Sequence, residues 1–301
     1  MENVVRAGNA VNVRNTMERA EAFGGRKNAS FTVRSYDCFD IGQICESGQC
    51  FRMTQIEPET YEVIAGDRYL EVTQKGKECI FHCDETEFED FWKYYFDLET
   101  QYEEYRKKIN PKDTYLNNAA ELGCGIRILN QDLWEMIVSF LISQQNNIVR
   151  IRRCIQNICE KYGEKMTTSE GKVYYAFPAP EALACLDEDE LKECNLGYRS
   201  KYVVRTARSV VNGDFSLEEV KKMSYKKAKE ELLTLFGVGV KVADCICLFA
   251  LHHLQAFPVD THINQALEKH YPKGFPKRRY KGCEGVMQQY IFYYELFGKE
   301  K

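Results

Sequence analysis

Along residues 31–85 apolar and polar side chains alternate in short runs. The segments 51–56, 60–64, 68–73 and 79–83 each read as a strand with one face turned inward, and Gly66-Asp67 and Lys75-Gly76-Lys77 supply turns between them. This pattern predicts an antiparallel sheet of hairpins. From about residue 86 the period lengthens, and Phe88, Phe91, Trp92, Tyr95 and Leu98 fall on one helical face. Residues 130–162, rich in Ile, Leu and Val, predict one or two helices. Phe177-Pro178-Ala179-Pro180 reads as a linker, with Pro180 suited to the first turn of the next helix. Helices are then expected over about 181–186, 188–194, 200–211, 217–222, 225–236, 240–252, 261–270 and 282–297. No repeat or low-complexity segment interrupts them. The fold class is α+β, a small N-terminal antiparallel β-sheet domain followed by a large helical part. The first 30 residues are polar and charged, lack an apolar signal core, and read as a flexible tail.

At 301 residues and 44% hydrophobic, the chain can bury a sizeable core in one to three domains. No apolar run reaches the ~18 residues that span a bilayer, so an intracellular protein without membrane attachment is expected. The 13 cysteines include no Cys-x-x-Cys pair. Cys154, Cys159, Cys245 and Cys247 sit in apolar helical text and read as small buried hydrophobes. Clustered zinc ligands are missing. Only Cys283 follows Cys247, which excludes a C-terminal iron–sulfur cluster. No cofactor and no catalytic metal are expected. The net charge of −4 is no nucleic-acid signature, but binding depends on local patches. Basic residues concentrate at Lys221, Lys222, Lys226, Lys227 and Lys229, and again at Lys269, Lys273, Lys277, Arg278, Arg279 and Lys281. Taken alone, each run reads as solvated surface.

The chemistry concentrates near residue 237. Two apolar helical stretches are joined by Gly237-Val238-Gly239, where glycine permits positive φ and close backbone approach and Val238 reads as an inward plug. The second helix then opens with N–H groups pointing outward, a site for a DNA phosphate. The bland reading is an ordinary tight helix–helix turn. Lys241 falls in the first turn of that helix, where the dipole disfavours an added ammonium and so favours the nucleophilic free amine. Nineteen residues later Asp260, in Pro258-Val259-Asp260-Thr261-His262, precedes helical text. It reads as an N-cap, a carboxylate able to stabilise a cationic sugar, or both. A phosphate site, a positioned amine and a carboxylate together are equipment for covalent chemistry on a nucleotide.

At these residues the chain resembles the eukaryotic-type 8-oxoguanine DNA glycosylase/AP lyase (Ogg) family of the helix-hairpin-helix Gly/Pro-Asp superfamily, from about residue 35 to 300. Ser47-Gly48-Gln49-Cys50-Phe51-Arg52, the stretch Phe140 to Ile151, Asn195-Leu196-Gly197-Tyr198-Arg199, Gly237 to Cys245, Pro258 to His262 and Gln288 to Phe292 are similar to that family's motifs in order. The resemblance implies a two-lobed helical glycosylase core. Its divisions would be a tail (1–30), a sheet domain with a helix (31–116), a helical domain from 117–180 with 275–301, and a second one (181–274) carrying the hairpin. It implies that Lys241 attacks C1′ of a flipped nucleotide, expels 8-oxoguanine and supports β-elimination through a Schiff base, with Asp260 stabilising the sugar cation. The Gly48 carbonyl would accept from N7–H of the lesion, Cys245 and Phe292 would sandwich the ring, and Gln288 would read its Watson–Crick edge. Tyr198 would wedge into the duplex, and Arg150 and Arg199 would contact the orphaned cytosine, beside Asn146 and Asn147. His262 and Glu295 would pair near the lesion's 5′ side. The implied partner is double-stranded DNA containing 8-oxoguanine, bound by a monomer.

Three features depart from the family pattern. Gln145 stands where an asparagine is usual, Gln144 replaces a small residue, and Leu235-Phe236 stands where Leu-Pro often precedes the glycine. Hairpin-turn carbonyls are a candidate seat for a structural cation that the sequence does not specify. Two other readings stay open at this stage: a helix-hairpin-helix glycosylase for another damaged base, and a non-catalytic DNA-binding module.

Overall fold

The computed structural model describes residues 32–298; the polar segment 1–30 lies outside them. Five strands form one antiparallel sheet in the order β1-β5-β4-β3-β2: β1 (Thr32–Ser35), β2 (Met53–Glu57), β3 (Thr60–Ala65), β4 (Arg68–Lys75) and β5 (Glu78–Phe81). β2 to β5 form a meander, and β1 closes the edge against β5. Period-two alternation puts Met53, Val63, Leu70, Val72 and Phe81 on the buried face. They pack on Phe88, Trp92, Tyr95 and Phe96 from the helical stretch after the sheet, as the spacing predicts, with a π-helical turn over Phe88–Trp92.

Two expectations for this region need correction. A short helix, α1 (Ile41–Glu46), interrupts the strand region, capped by Asp40, whose carboxylate accepts from Gln43 N at 2.9 Å. The predicted strand at 51–56 begins only at Met53. Phe51 instead enters the helical core, edge-on to Phe140. Arg52 reaches Glu135 at 3.3 Å and the Gly66 carbonyl at 3.1 Å, and also donates to the Tyr175 carbonyl. This nearly inaccessible cluster ties the sheet to the helical body. Burial raises the Glu135 carboxyl above the usual range against the pull of Arg52.

The helical part comprises α2 (Tyr102–Lys107), α3 (Thr114–Leu122), α4 (Leu133–Ser143), α5 (Ile148–Tyr162), α6 (Pro180–Ala184), α7 (Ser200–Val211), α8 (Leu217–Lys221), α9 (Tyr225–Leu232), α10 (Val240–Phe249), α11 (Thr261–His270) and α12 (Glu284–Phe297). The stretch 130–162 resolves into two helices. Gln144 is extended and Gln145 has φ +48°, after which Asn147 caps α5 by accepting from Arg150 N at 2.9 Å. Predicted ends were too long where turns take over: α9 stops at Leu232 and α10 at Phe249. Residues 190–194 form a 3₁₀ turn. A small hairpin, β6 (Lys165–Thr167) with β7 (Val173–Tyr175), went unpredicted because its polar strands bury little. One apolar cluster runs through the helices from Tyr102 to Ile291, across both lobes expected from the sequence. Among the described residues no helix is long and apolar enough to cross a membrane.

The two helices of the hairpin are stapled by a buried polar contact. The Asp244 carboxylate on α10 takes the Lys229 ammonium at 2.7 Å and the Tyr225 hydroxyl at 2.6 Å, both from α9. Removing the carboxylate would leave a partly buried ammonium and a phenol without their acceptor. Asp244→Ala is expected to lower unfolding free energy by roughly 2–4 kcal/mol in urea titration. A loss below half a kilocalorie would mean that packing alone holds the hairpin.

Candidate active site

The hairpin turn explains its own glycines. Gly237 has φ +90°, and a Cβ there would lie 2.7 Å from the Tyr202 ring, so both conformation and space demand glycine. Val238 is buried, as its inward-plug reading requires. Gly239 is different: its φ is −97° and a Cβ would meet open space. Nothing within the chain requires glycine at 239. It N-caps α10 with no side-chain hydrogen bond, so the first-turn N–H groups face outward beside the exposed Val240.

Lys241 lies one turn before Cys245 on α10, half-buried, with its ammonium 5.7 Å from the centre of the Phe140 ring. Lys241 and Cys245, four residues apart, share one face of α10, and both Lys241 and Asp260 bear electrostatically on the Cys245 thiol. Burial pushes the thiol up to about 11 although Lys241 pulls the other way. Cys245 is therefore a neutral thiol at physiological pH. Asp260 caps α11 by accepting from Ile263 N at 2.8 Å, which fixes the carboxylate at the helix start. The amine and the carboxylate are thus held in the first turns of two different helices, α10 and α11.

The next site contact joins opposite ends of the chain. Gly48 has φ +73°, and a Cβ there would come within 3.0 Å of the Phe292 ring on α12. Its loop is pinned on both sides. The Ser47 hydroxyl donates to the Ile44 carbonyl, and the buried Gln49 amide donates to Ser47 Oγ and the Arg127 carbonyl, each at 2.8 Å, and accepts from Leu129 N at 2.9 Å. Gln288, one turn before Phe292, is buried, and its Oε1 accepts from Gln289 Nε2 at 3.2 Å. Gln289, which the sequence pattern does not single out, thereby orients the Gln288 amide. His262 is exposed, edge-on to Phe292 with centroids 6.4 Å apart. Glu295 Oε1 accepts a hydrogen bond from the Tyr115 hydroxyl at 2.8 Å.

The remaining expected residues gather on the other side of the hairpin. Tyr198 is exposed, edge-on to Tyr202, which packs in turn against Phe236, forming an aromatic ridge that leads to the hairpin. Tyr202, Phe236 and the exposed Val149 also carry no mark in the sequence. An apolar ridge left open to solvent is a mark of an interaction surface. Asn146 donates to the Ile142 carbonyl at 3.2 Å. Arg150 is exposed and reaches the Asn195 carbonyl at 3.4 Å. Arg199, by contrast, is 4% exposed, and its guanidinium serves the carbonyls of Gln144, Gln145 and Leu196. Gln144 donates to the Gly237 carbonyl at 3.0 Å, so this departure from the family pattern links the α4–α5 break to the hairpin.

With this geometry in view, comparison with known proteins is specific. The family model for the N-terminal domain of 8-oxoguanine DNA glycosylase matches residues 31–137, and that of the HhH-GPD superfamily of base excision DNA repair proteins matches 138–279. The chain belongs to the 8-oxoguanine DNA glycosylase family within that superfamily. The 8-oxoguanine glycosylase/lyase of Clostridium acetobutylicum, in complex with double-stranded DNA containing cytosine opposite 8-oxoG, is 37% identical with a TM-score of 0.83, over 91% of this chain and 97% of that one. The structure of MBOgg1 with a low-affinity DNA ligand is 35% identical with a TM-score of 0.85, over 91% and 98%. The N-glycosylase/DNA lyase of Saccharomyces cerevisiae is 39% identical over 158 residues, which are 49% of this chain and 42% of that protein. The Arabidopsis thaliana N-glycosylase/DNA lyase OGG1 is 30% identical over 73% of this chain and 62% of its own length. The matched stretch thus spans less than two thirds of both of these curated relatives.

Proposed function

We propose that this protein excises 8-oxoguanine from duplex DNA, with a preference for cytosine opposite the lesion, and cleaves the resulting abasic strand by β-elimination. The observation that carries the reading is the Lys241 amine in the first turn of α10, directly after the glycine hairpin, with the Asp260 carboxylate fixed at the start of α11. In this scheme the damaged nucleotide leaves the stack and its base enters between Cys245 and Phe292. The amine attacks C1′, the C1′–N9 bond breaks, and its electron pair leaves with the base. Asp260 faces the positive charge that develops on the sugar. The lysine nitrogen then forms an imine, and loss of a C2′ proton expels the 3′ phosphate. A carbonyl at Gly48 accepts N7–H of 8-oxoguanine and finds no proton on guanine. The unpaired acceptor costs about 1–3 kcal/mol, which is discrimination from one atom.

Arg150 and Arg199 would serve the orphaned cytosine, and Tyr198 would fill the vacated space. For Arg199 this requires its guanidinium to exchange the carbonyls of residues 144 and 145 for the base. Asn146, Asn147 and His262 would line the strands nearby. The setting would be intracellular.

The hairpin offers an independent check. By φ and by space a methyl fits at Gly239, and because alanine is a poorer N-cap than glycine, Gly239→Ala is expected to cost no more than about 1 kcal/mol of stability. A methyl at the open helix end would nevertheless hold a phosphate off. Affinity for undamaged duplex is expected to fall roughly five- to tenfold, about 1–1.4 kcal/mol, by fluorescence anisotropy. Unchanged affinity would move the phosphate site elsewhere.

The principal test is borohydride trapping on a duplex holding one 8-oxoguanine opposite cytosine. A covalent adduct and release of the base are expected. Base release without an adduct would mean a hydrolytic glycosylase. No release, on this or other lesions, would leave a binding module.

A further inference from the structure

The two basic runs of the sequence differ in the folded chain. In the first, Lys221, Lys222, Lys226 and Lys229 reach Glu218, Glu219, Glu230 and Asp244 within 4.0 Å. That run is largely self-neutralised. The second begins at the C-terminal end of α11 and continues through the turn after it into the 3₁₀ turn Lys277–Tyr280. Lys269, Lys273, Lys277, Arg278, Arg279 and Lys281 are all exposed, and among the described residues none has a carboxylate within ion-pair distance.

A distant segment adds to this surface. Arg279 Nε donates to the Lys108 carbonyl at 3.0 Å, and the Tyr271 hydroxyl donates to the Asp113 carboxylate at 3.0 Å. These hydrogen bonds bring the exposed Lys108 and Lys112 against the same patch. The nearby carboxylates are otherwise engaged: Asp113 also caps α3 by accepting from Leu116 N, and Glu284 accepts from Gly282 N. Lys277 lies over the Phe257 ring at 4.9 Å, which holds one cation in place. In a chain of net charge −4, so many uncompensated cations on one surface form a local field rather than a background.

We infer that this patch is a second duplex-DNA contact, gripping the phosphate backbone away from the excised nucleotide. The inference rests on the reading of the chain as a DNA enzyme. α11 separates the two: Asp260 caps its first turn, the patch starts at its last, and 10 residues at 1.5 Å each span about 15 Å. Lysines and arginines without base-reading geometry bind through counterion release, so the grip is indifferent to sequence and damage.

The test uses the full chain and undamaged 25-base-pair duplex, with binding by anisotropy across a salt series. The triple variant K273E/R278E/K281E avoids Arg279, which bridges to Lys108. The expected result is a slope of log Kd against log salt reduced by roughly 2–3, about 0.9 for each phosphate that is no longer neutralised. The control K221E/K222E/K226E is expected to change the slope by less than about one. An unchanged slope in a normally melting triple variant overturns the proposal, and so does an equal drop in the control. Because the duplex carries no lesion, failure of the excision chemistry would leave this outcome untouched, and the two readings fail separately.

Discussion

Lys241→Gln is expected to abolish the borohydride-trapped adduct and to slow base release by on the order of 10³-fold or more, since removing a nucleophile removes the covalent route itself. Glutamine keeps the length and polarity of the side chain and cannot form an imine. The half-buried position tolerates the change, because the ammonium makes no buried ion pair among the described residues: its neighbours are a thiol and the Phe140 ring. Binding to lesion duplex should therefore persist, giving a protein that holds its substrate without turning it over. The measurement is gel resolution of trapped complex beside single-turnover base release. An adduct with the variant would place the nucleophile on another amine. Loss of binding together with chemistry would demand a structural explanation and a melting curve.

Asp260→Asn separates two roles carried by one side chain. Asparagine caps helices about as well as aspartate, so α11 should keep its first turn and the melting temperature should change little. The negative charge, however, is gone. Excision should slow roughly 10²–10³-fold, about 2.7–4 kcal/mol of transition-state stabilisation. Asp260→Ala should show the same kinetic loss and in addition cost about 1 kcal/mol of stability as the cap is removed. If the asparagine variant works at near-normal rate, the carboxylate is a cap only and the sugar cation is stabilised by other groups.

The helix-start positions of Lys241 and Asp260 and much of the frame around them are legible in the sequence. The meander of β2 to β5 was legible because alternate positions such as Met53, Val63, Leu70 and Val72 all turn to one buried face. The hairpin was legible because glycine pairs between apolar helices leave few alternatives. Less was legible where a residue's role is set by something far away in the chain. Phe51 continues the strand pattern by composition, yet it is claimed by Phe140 on α4. The α4–α5 break follows from Gln145 at φ +48°, a conformation that glutamine does not advertise. Arg199 carries no sequence sign that three backbone carbonyls would bury it. Nor does a run of lysines reveal whether glutamates will meet it, and only the fold distinguished the two basic stretches.

The approach of Gly48 to Phe292 has a consequence in time. Its partners are separated by nearly the whole described chain, so it closes late, whereas the α9–α10 hairpin is a local structure. During synthesis the α9–α10 hairpin that carries Lys241 emerges and can form locally, whereas α11 with Asp260 packs on α12 and is completed only when that helix arrives. The nascent protein would thus acquire its reactive amine ahead of the surface that selects what the amine meets. Truncation before residue 284 would take away Gln288 and Phe292 together with the core side chains Val286, Met287, Tyr290 and Ile291, so that the proposed gauge and the packing that seats it would be lost at one stroke.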